Sequence, residues 1–479
     1  MKDPIGMRFW KRSLALLALA ISAAMSGAGL ANAQLSTVVE GEQFIPIPVA
    51  VPGFKGGTAQ ANQIANQISE VVRNDLNTNA RFQVLDAALV GPFSRDLDVS
   101  LPPRFADWAS INTNALVVGN VSVNGSNMVT QFRVWDIYQQ KELFAQQYTV
   151  PTPDSWRRVA HKVADDIYTT MTGEDGYFDS RIVFVSESGT GAAKRRRLAI
   201  MDQDGANAEH LLSGVNTVIT PRFSPSSQTI IYSAYVPDPQ NPRATLLRSY
   251  LYDIETGRQE VLADSRNATD FSGRFSPDGR YIVMNRVQNG NTDLYLIDVA
   301  RRSQPPRRLT SNPDIDTEPS FSPDGSKIVF ASDRSGPGES QLYIMNTDGS
   351  KMTCPIGGVA ADACRISFGE GRYSKPEWSP RGDWIAFTKR SAGVWSIGVI
   401  TPDGKAGPNG QAERILTRAY QDEGPTWSPN GRVIAFFREP GPGAGPSLWT
   451  IDLSGRNLRR LPTPGEGYAS DPAWSPLLK

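Results

Sequence analysis

The chain has 479 residues with 49 basic and 49 acidic side chains, so its formal net charge is zero and nothing calls for nucleic acid. Its 42 glycines and 35 prolines suit a turn-rich, mainly β protein. One core is unlikely at this length, and two domains are expected.

Arg8, Lys11 and Arg12 precede the apolar run 14–21, and Ala31-Asn32-Ala33 follows after small residues. A basic start, a short apolar core and an A-x-A site make a secretory leader, so residues 1–33 are expected to be cut off between Ala33 and Gln34. The alternative is a membrane anchor, but the run falls short of the roughly 20 residues that a spanning helix needs. Cleavage removes four basic residues and one acidic residue, leaving the mature chain near −3. No later segment is apolar enough to enter a bilayer, so a soluble, exported chain without direct membrane insertion is expected.

Residues 34–45 carry no clear pattern and are expected to be mobile. Strands are predicted at 47–51, 82–85, 115–118, 129–135 and 142–149. A helix over 58–76 carries Ile64, Ile68, Val71, Val72 and Leu76 on one stripe, with Thr58 as its N-cap. A second helix over 154–171 turns Trp156, Val159, Val163, Ile167 and Met171 inward. Together 34–173 form a small α/β domain, ending at the turn 173–176.

From there one phrase recurs six times: R-F-S-P-S-S from Arg222, R-F-S-P-D-G from Arg274, S-F-S-P-D-G from Ser320, E-W-S-P-R-G from Glu377, T-W-S-P-N-G from Thr426 and A-W-S-P from Ala473. The serines are 52, 46, 57, 49 and 47 residues apart, a period that with several strands per unit marks a β-propeller. The aromatic ends an inner strand and is large enough to fill the space between blades. Ser-Pro-Asp-Gly is turn chemistry: proline presets φ, and glycine tolerates positive φ. Short buried strands follow, such as Ile328-Val329-Phe330, then a third strand such as Leu342-Tyr343-Ile344-Met345, then a polar outer strand.

The ends of the region complete each other. Residues 181–202 supply later strands of a blade without the aromatic-Ser-Pro strand before them, and Ala473-Trp474-Ser475-Pro476 supplies that strand alone. Pairing them closes a ring of six blades over 174–479 and hides two sheet edges. An open array would need capping units that the sequence lacks.

Cys354 and Cys364 are the only cysteines. In an oxidising compartment they are expected to form a local disulfide; a redox or metal pair has neither a C-x-x-C nor a nearby histidine to support it. Only His161 and His210 occur, in different domains, so a histidine metal site or a Ser-His-Asp triad is not expected. No G-x-S-x-G, Walker loop or G-x-G-x-x-G is present, and no cofactor is expected.

Asp270, Asp314, Asp316, Glu318, Asp422, Glu423 and Asp471 precede the phrases and are expected to converge on one channel mouth. A partner-binding funnel, a bound structural cation and a hydrolytic metal site are the readings open there.

An exported chain with a small α/β domain and six F/W-S-P-D-G repeats, without a catalytic domain after them, resembles the TolB family of the Gram-negative Tol–Pal envelope system. The resemblance covers essentially the whole mature chain. The S-P-D-G repeat alone is shared with other propellers; the combination is the specific part. The departures are Ser226-Ser227 and Arg381-Gly382 in two phrases and the two-cysteine insertion.

The resemblance implies a non-enzymatic periplasmic scaffold that binds the lipoprotein Pal on the propeller and TolA through an amino-terminal strand. By position that strand is Gln34, Leu35, Ser36, Thr37, Val38, Val39 and Glu40, which can add to a partner's sheet edge. The Pal-like face is expected at the channel mouth: Thr217, Thr220, Asp270, Ser272, Thr317, Glu318, Tyr373, Lys375, Asp422, Glu423 and Asp471. Linking the two partners would serve outer-membrane integrity and invagination at division, and other envelope proteins are possible partners. The alternatives are a lactonase-like, metal-dependent propeller hydrolase, expected to show buried carboxylate or histidine ligands, and a periplasmic ligand-binding module, expected to show an aromatic-lined pocket in the channel.

Overall fold

The computed structural model describes residues 45–478 apart from 190–193, 213–216, 227, 239, 242, 263–267, 337, 406–411 and 464–466. The leader and the segment 34–40 lie outside the described residues.

The amino-terminal part is a sheet in the order Phe82–Val84, Ile47–Ala50, Ala115–Asn124, Asn127–Asp136, Lys141–Val150. The first three strands are parallel and the rest antiparallel. Helices Ala59–Asn77 and Trp156–Thr172 cover one face, burying Ile64, Ile68, Val72, Val163 and Ile167 against Val117, Phe132 and Val134. Thr58 caps the first helix as expected: its Oγ1 accepts from Ala61 N at 3.2 Å. Short helices at Ala87–Val90 and Phe105–Ala109, which the sequence pattern did not suggest, close the other face over Trp108 and Trp135.

Six four-stranded sheets follow, and they form a six-bladed propeller. The inner strands are Thr217–Phe223, Thr269–Phe275, Asp316–Phe321, Arg372–Trp378, Gln421–Trp427 and Tyr468–Trp474. The last completes the sheet of Arg181–Ser188, Arg195–Asp202 and Glu209–His210, with Trp474 opposite Ile182. We number this shared blade first and the others in chain order. Among the described residues no helix is long and apolar enough to cross a membrane.

Each terminal aromatic fills the space to the preceding blade. Trp378 packs on Val329 and Ile344, Phe321 on Val283 and Leu296, and Trp427 on Ala386 and Val399. Burying such a side chain contributes roughly 1.5–3 kcal/mol per blade junction. The turns behave as their sequence predicts. Ser276 Oγ accepts from Tyr281 N at 2.9 Å and donates to Asp278 Oδ1 at 2.6 Å, and Gly279 turns at φ +71°. The long 57-residue step holds an extra hairpin, Met352–Thr353 with Ala360–Ala361, clamped by the disulfide Cys354–Cys364.

Candidate functional site

Every inner strand is interrupted at the same place. Its register with the second strand slips between Ile219 and Arg222, Phe271 and Arg274, Thr317 and Ser320, Ser374 and Glu377, Glu423 and Thr426, and Ser470 and Ala473. The residue three before the aromatic adopts a left-handed backbone, with φ from +46° to +64°: Thr220, Ser272, Glu318, Lys375, Gly424 and Asp471. The next residue is proline in five blades and Gly273 in the third. Proline has no N–H to leave unpaired, so it suits the bulge.

A left-handed backbone costs an ordinary side chain on the order of 1–2 kcal/mol. Cross-blade hydrogen bonds offset part of that cost. Ser272 N donates to Ser233 Oγ at 3.2 Å, and Glu318 N to Asn285 Oδ1 at 2.9 Å. Lys375 N donates to Glu318 Oε2 at 2.7 Å, and Gly424 N to Thr388 Oγ1 at 3.1 Å. Each acceptor belongs to the preceding blade, so the bulges lock the ring and fix what faces its axis.

Thr220, Ser272, Glu318, Lys375 and Asp471 converge around a constriction of only about 30 Å³, together with Arg222 and Arg274. Lys375 is its central cation: Nζ lies 3.0 Å from Glu423 Oε2 and 3.5 Å from Asp471 Oδ1. Burial lowers its pKa, but Asp471, Glu423 and Glu318 outweigh that and hold it above the usual lysine value. Burial likewise opposes ionisation of Asp471, and Lys375 with Arg222 more than compensates.

Three of the residues expected at the mouth are turned into the blades instead. Arg286 grips Asp270 through two bonds of 2.6 and 2.7 Å, and Arg438 grips Asp422 through bonds of 2.6 and 2.8 Å. Tyr373 is fully buried and donates to Glu413. Asp316, also expected to face the channel, is held by Arg334 at 2.8 Å through both oxygens. All four stand five residues before the aromatic. Side chains alternate along a strand, and this position falls on the blade face beside the second strand. A buried carboxylate there requires a paired cation. Thr217 and Thr317 are half-buried at the strand starts.

Exposed apolar side chains surround this mouth. Ile315 and Tyr420 immediately precede inner strands, Tyr468 begins one, and Tyr235 pairs with Thr217. Each is 41–50% exposed.

Sequence reasoning passed over the position just before the aromatic. It places Arg222, Arg274 and Glu377 on the axis, with Arg274 Nη1 2.5 Å from Glu377 Oε2. The available signal was charge inside an otherwise uniform phrase. It also passed over a buried cluster between the two parts of the molecule. Asp75 Oδ2 meets His161 Nδ1 at 2.7 Å, and Asp75 Oδ1 accepts from Gln203 Nε2 at 2.9 Å. Asp75, His161 and Asp204 lie close enough together to hold a metal ion, but Arg157 already pairs with Asp202 and Asp204. Burial lowers the His161 pKa, yet Asp75 and the neighbouring carboxylates raise it to about 9, while burial raises that of Asp75, so the pair keeps a proton between them.

A profile for the TolB beta propeller domain matches residues 168–478, and one for the TolB amino-terminal domain matches residues 35–143. The chain is 39% identical over 469 residues to the Tol-Pal system protein TolB of Gluconobacter oxydans, covering 96% of this chain and 93% of that one. The chain belongs to the TolB family. A crystal structure of TolB from Acinetobacter baumannii superposes with a TM-score of 0.72 at 26% identity, covering 90% of this chain and 97% of that one. As a TolB-family member the chain is a non-enzymatic component of the Tol-Pal system. The TolB propeller match spans all six blades and includes the strand that closes the ring.

Proposed function

We propose that this chain is a periplasmic scaffold that links the lipoprotein Pal to the inner-membrane TolA complex, supporting outer-membrane integrity and invagination at division. In this reading residues 1–33 are a leader removed at Ala33–Gln34, 34–173 form the amino-terminal domain and 174–479 the propeller. Residues 34–40 add a strand to TolA.

Pal docks at the mouth carrying Thr220, Ser272, Glu318, Lys375, Glu423 and Asp471. Asp270, Tyr373 and Asp422 support that surface from within the blades. The observation that carries the assignment is the apolar rim of Tyr235, Ile315, Tyr420 and Tyr468 around a charged centre. Tyrosine is among the side chains that most often carry the binding energy of a protein interface.

The test is a titration of the mature protein with purified Pal. Glu318→Lys with Glu423→Lys is expected to weaken binding at least ten-fold while the melting temperature confirms folding. Unchanged affinity in the folded variant would remove Pal from this face. A companion titration of a chain lacking residues 34–44 reads any coupling between the two sites, and equal affinity would exclude it.

A further inference from the structure

The aromatics that end the inner strands also wall a cavity of about 420 Å³ at the opposite end of the axis from the mouth just described. Phe275, Trp378, Trp427 and Trp474 form its sides together with the prolines of the following turns. Arg222 and Arg274 form its floor, since they border both this cavity and the constriction.

Charge on that floor is unbalanced. Arg274 takes Glu377 Oε2, and Glu377 Oε1 accepts from Thr426 Oγ1 at 2.8 Å and from Trp427 N at 3.1 Å. Arg222 Nε lies 4.0 Å from the same Oε2, beyond hydrogen-bond reach. Its Nη1 donates to Pro221 O at 2.6 Å, and its buried Nε has no hydrogen-bond partner. The residue is only 9% exposed. Ser320, Thr426 and Ala473 complete this layer without charge. Two guanidiniums therefore share one carboxylate. Asp471 pairs with the Lys375 ammonium and Glu318 accepts from the Lys375 backbone N–H, and both act on Arg222 only from further off. Burial, together with repulsion from Arg274, pushes the Arg222 pKa down to about 10 against the pull of Glu377, Asp471 and Glu318.

We propose that this cavity binds a small organic acid, with its carboxylate on Arg222 and its apolar body against Trp378, Trp427 and Trp474. The volume lies within the roughly 300–1,000 Å³ usual for small-molecule sites. An apolar wall with one convergent cation selects a carboxylate on a hydrophobic body over a neutral molecule of the same shape. A carboxylate forms short, charge-assisted and often bidentate contacts with a guanidinium.

Phenylacetate serves as the probe and phenylacetamide as its neutral counterpart. Both are titrated into the mature protein, read by calorimetry and by the fluorescence of the wall tryptophans. Phenylacetate is expected to saturate and to bind at least ten-fold more tightly than the amide. Arg222→Gln is expected to erase that preference, and Arg222→Lys to keep part of it. Trp427→Phe is expected to weaken both ligands and leave their ratio unchanged. Equal binding of acid and amide by the parent protein, failure of phenylacetate to saturate, or a preference surviving in Arg222→Gln would overturn the assignment. The acid–amide comparison decides the matter even where a variant does not fold.

Discussion

Trp474 Nε1 donates to Ser180 Oγ at 2.8 Å, joining the last inner strand to the residue before the first blade strand. The same ring packs edge-on against Tyr177 at 5.8 Å, and Ser475 exchanges backbone and side-chain hydrogen bonds with Arg181. Ring closure therefore also fixes the junction with the amino-terminal part. Trp474→Ala is expected to cost about 3–5 kcal/mol and to lower the melting temperature by several degrees. Trp474→Phe should recover most of that loss. Calorimetric melts of the three proteins check this, and a melt unchanged by the alanine would show that closure contributes little.

The buried pair Asp270–Arg286 is a second test of what lies inside a blade. Arg286→Leu strands a carboxylate that is 5% exposed and is expected to cost roughly 3–5 kcal/mol. Replacing both residues with leucine should restore much of the stability, because no unpaired charge remains. A double variant no more stable than the single one would contradict this account.

The sixth blade alone carries glycine at the left-handed position of its bulge. Gly424 sits at φ +64°, and a Cβ there would lie 3.2 Å from the Phe437 ring. Gly424→Ala is expected to destabilise by about 1–2 kcal/mol. Urea midpoints give the comparison, and a neutral or stabilising change would be inconsistent with the strain argument.

His161 makes stability depend on pH. Its folded pKa of about 9 lies above the ordinary 6.5, so its contribution is complete below about pH 6.5 and fades as pH rises through 9. The groups facing it are Asp75 from its partner helix, Asp202 and Asp204 from the first blade, and Arg157 one turn earlier on its own helix. The stability advantage of the parent protein over His161→Gln should shrink by on the order of 1–3 kcal/mol between pH 6 and pH 9.5. Denaturant titrations at both values measure it, and a constant difference would place the proton elsewhere.

Much of the fold was legible because repeats announce themselves through turn chemistry. Ser-Pro-Asp-Gly can hardly be anything but a turn, an apolar β-branched run after it must be buried, and six such units with complementary ends must close. Thr58 and the Cys354–Cys364 pair were readable for the same local reason. The channel lining was less so. Asp270 and Glu318 both precede an aromatic-Ser-Pro phrase, yet one is gripped inside its blade and the other faces the axis. The bulge between them in register reverses which side chain points where. Its mark, a proline two residues before the aromatic, was visible at Pro221, Pro319, Pro376, Pro425 and Pro472 but has no meaning until the strand pairing is known.

The number of blades, the aromatic wedges between them and the strand that completes the ring can all be read from local pattern, because they follow from turn residues and hydrophobic period. That Arg222 shares Glu377 with Arg274, that Lys375 is the cation of the constriction, and that Asp75 meets His161 and Gln203 emerges only from the folded chain. Those contacts join residues from different blades or different parts of the chain, and a buried charge takes its partner from proximity in space, which local pattern does not encode.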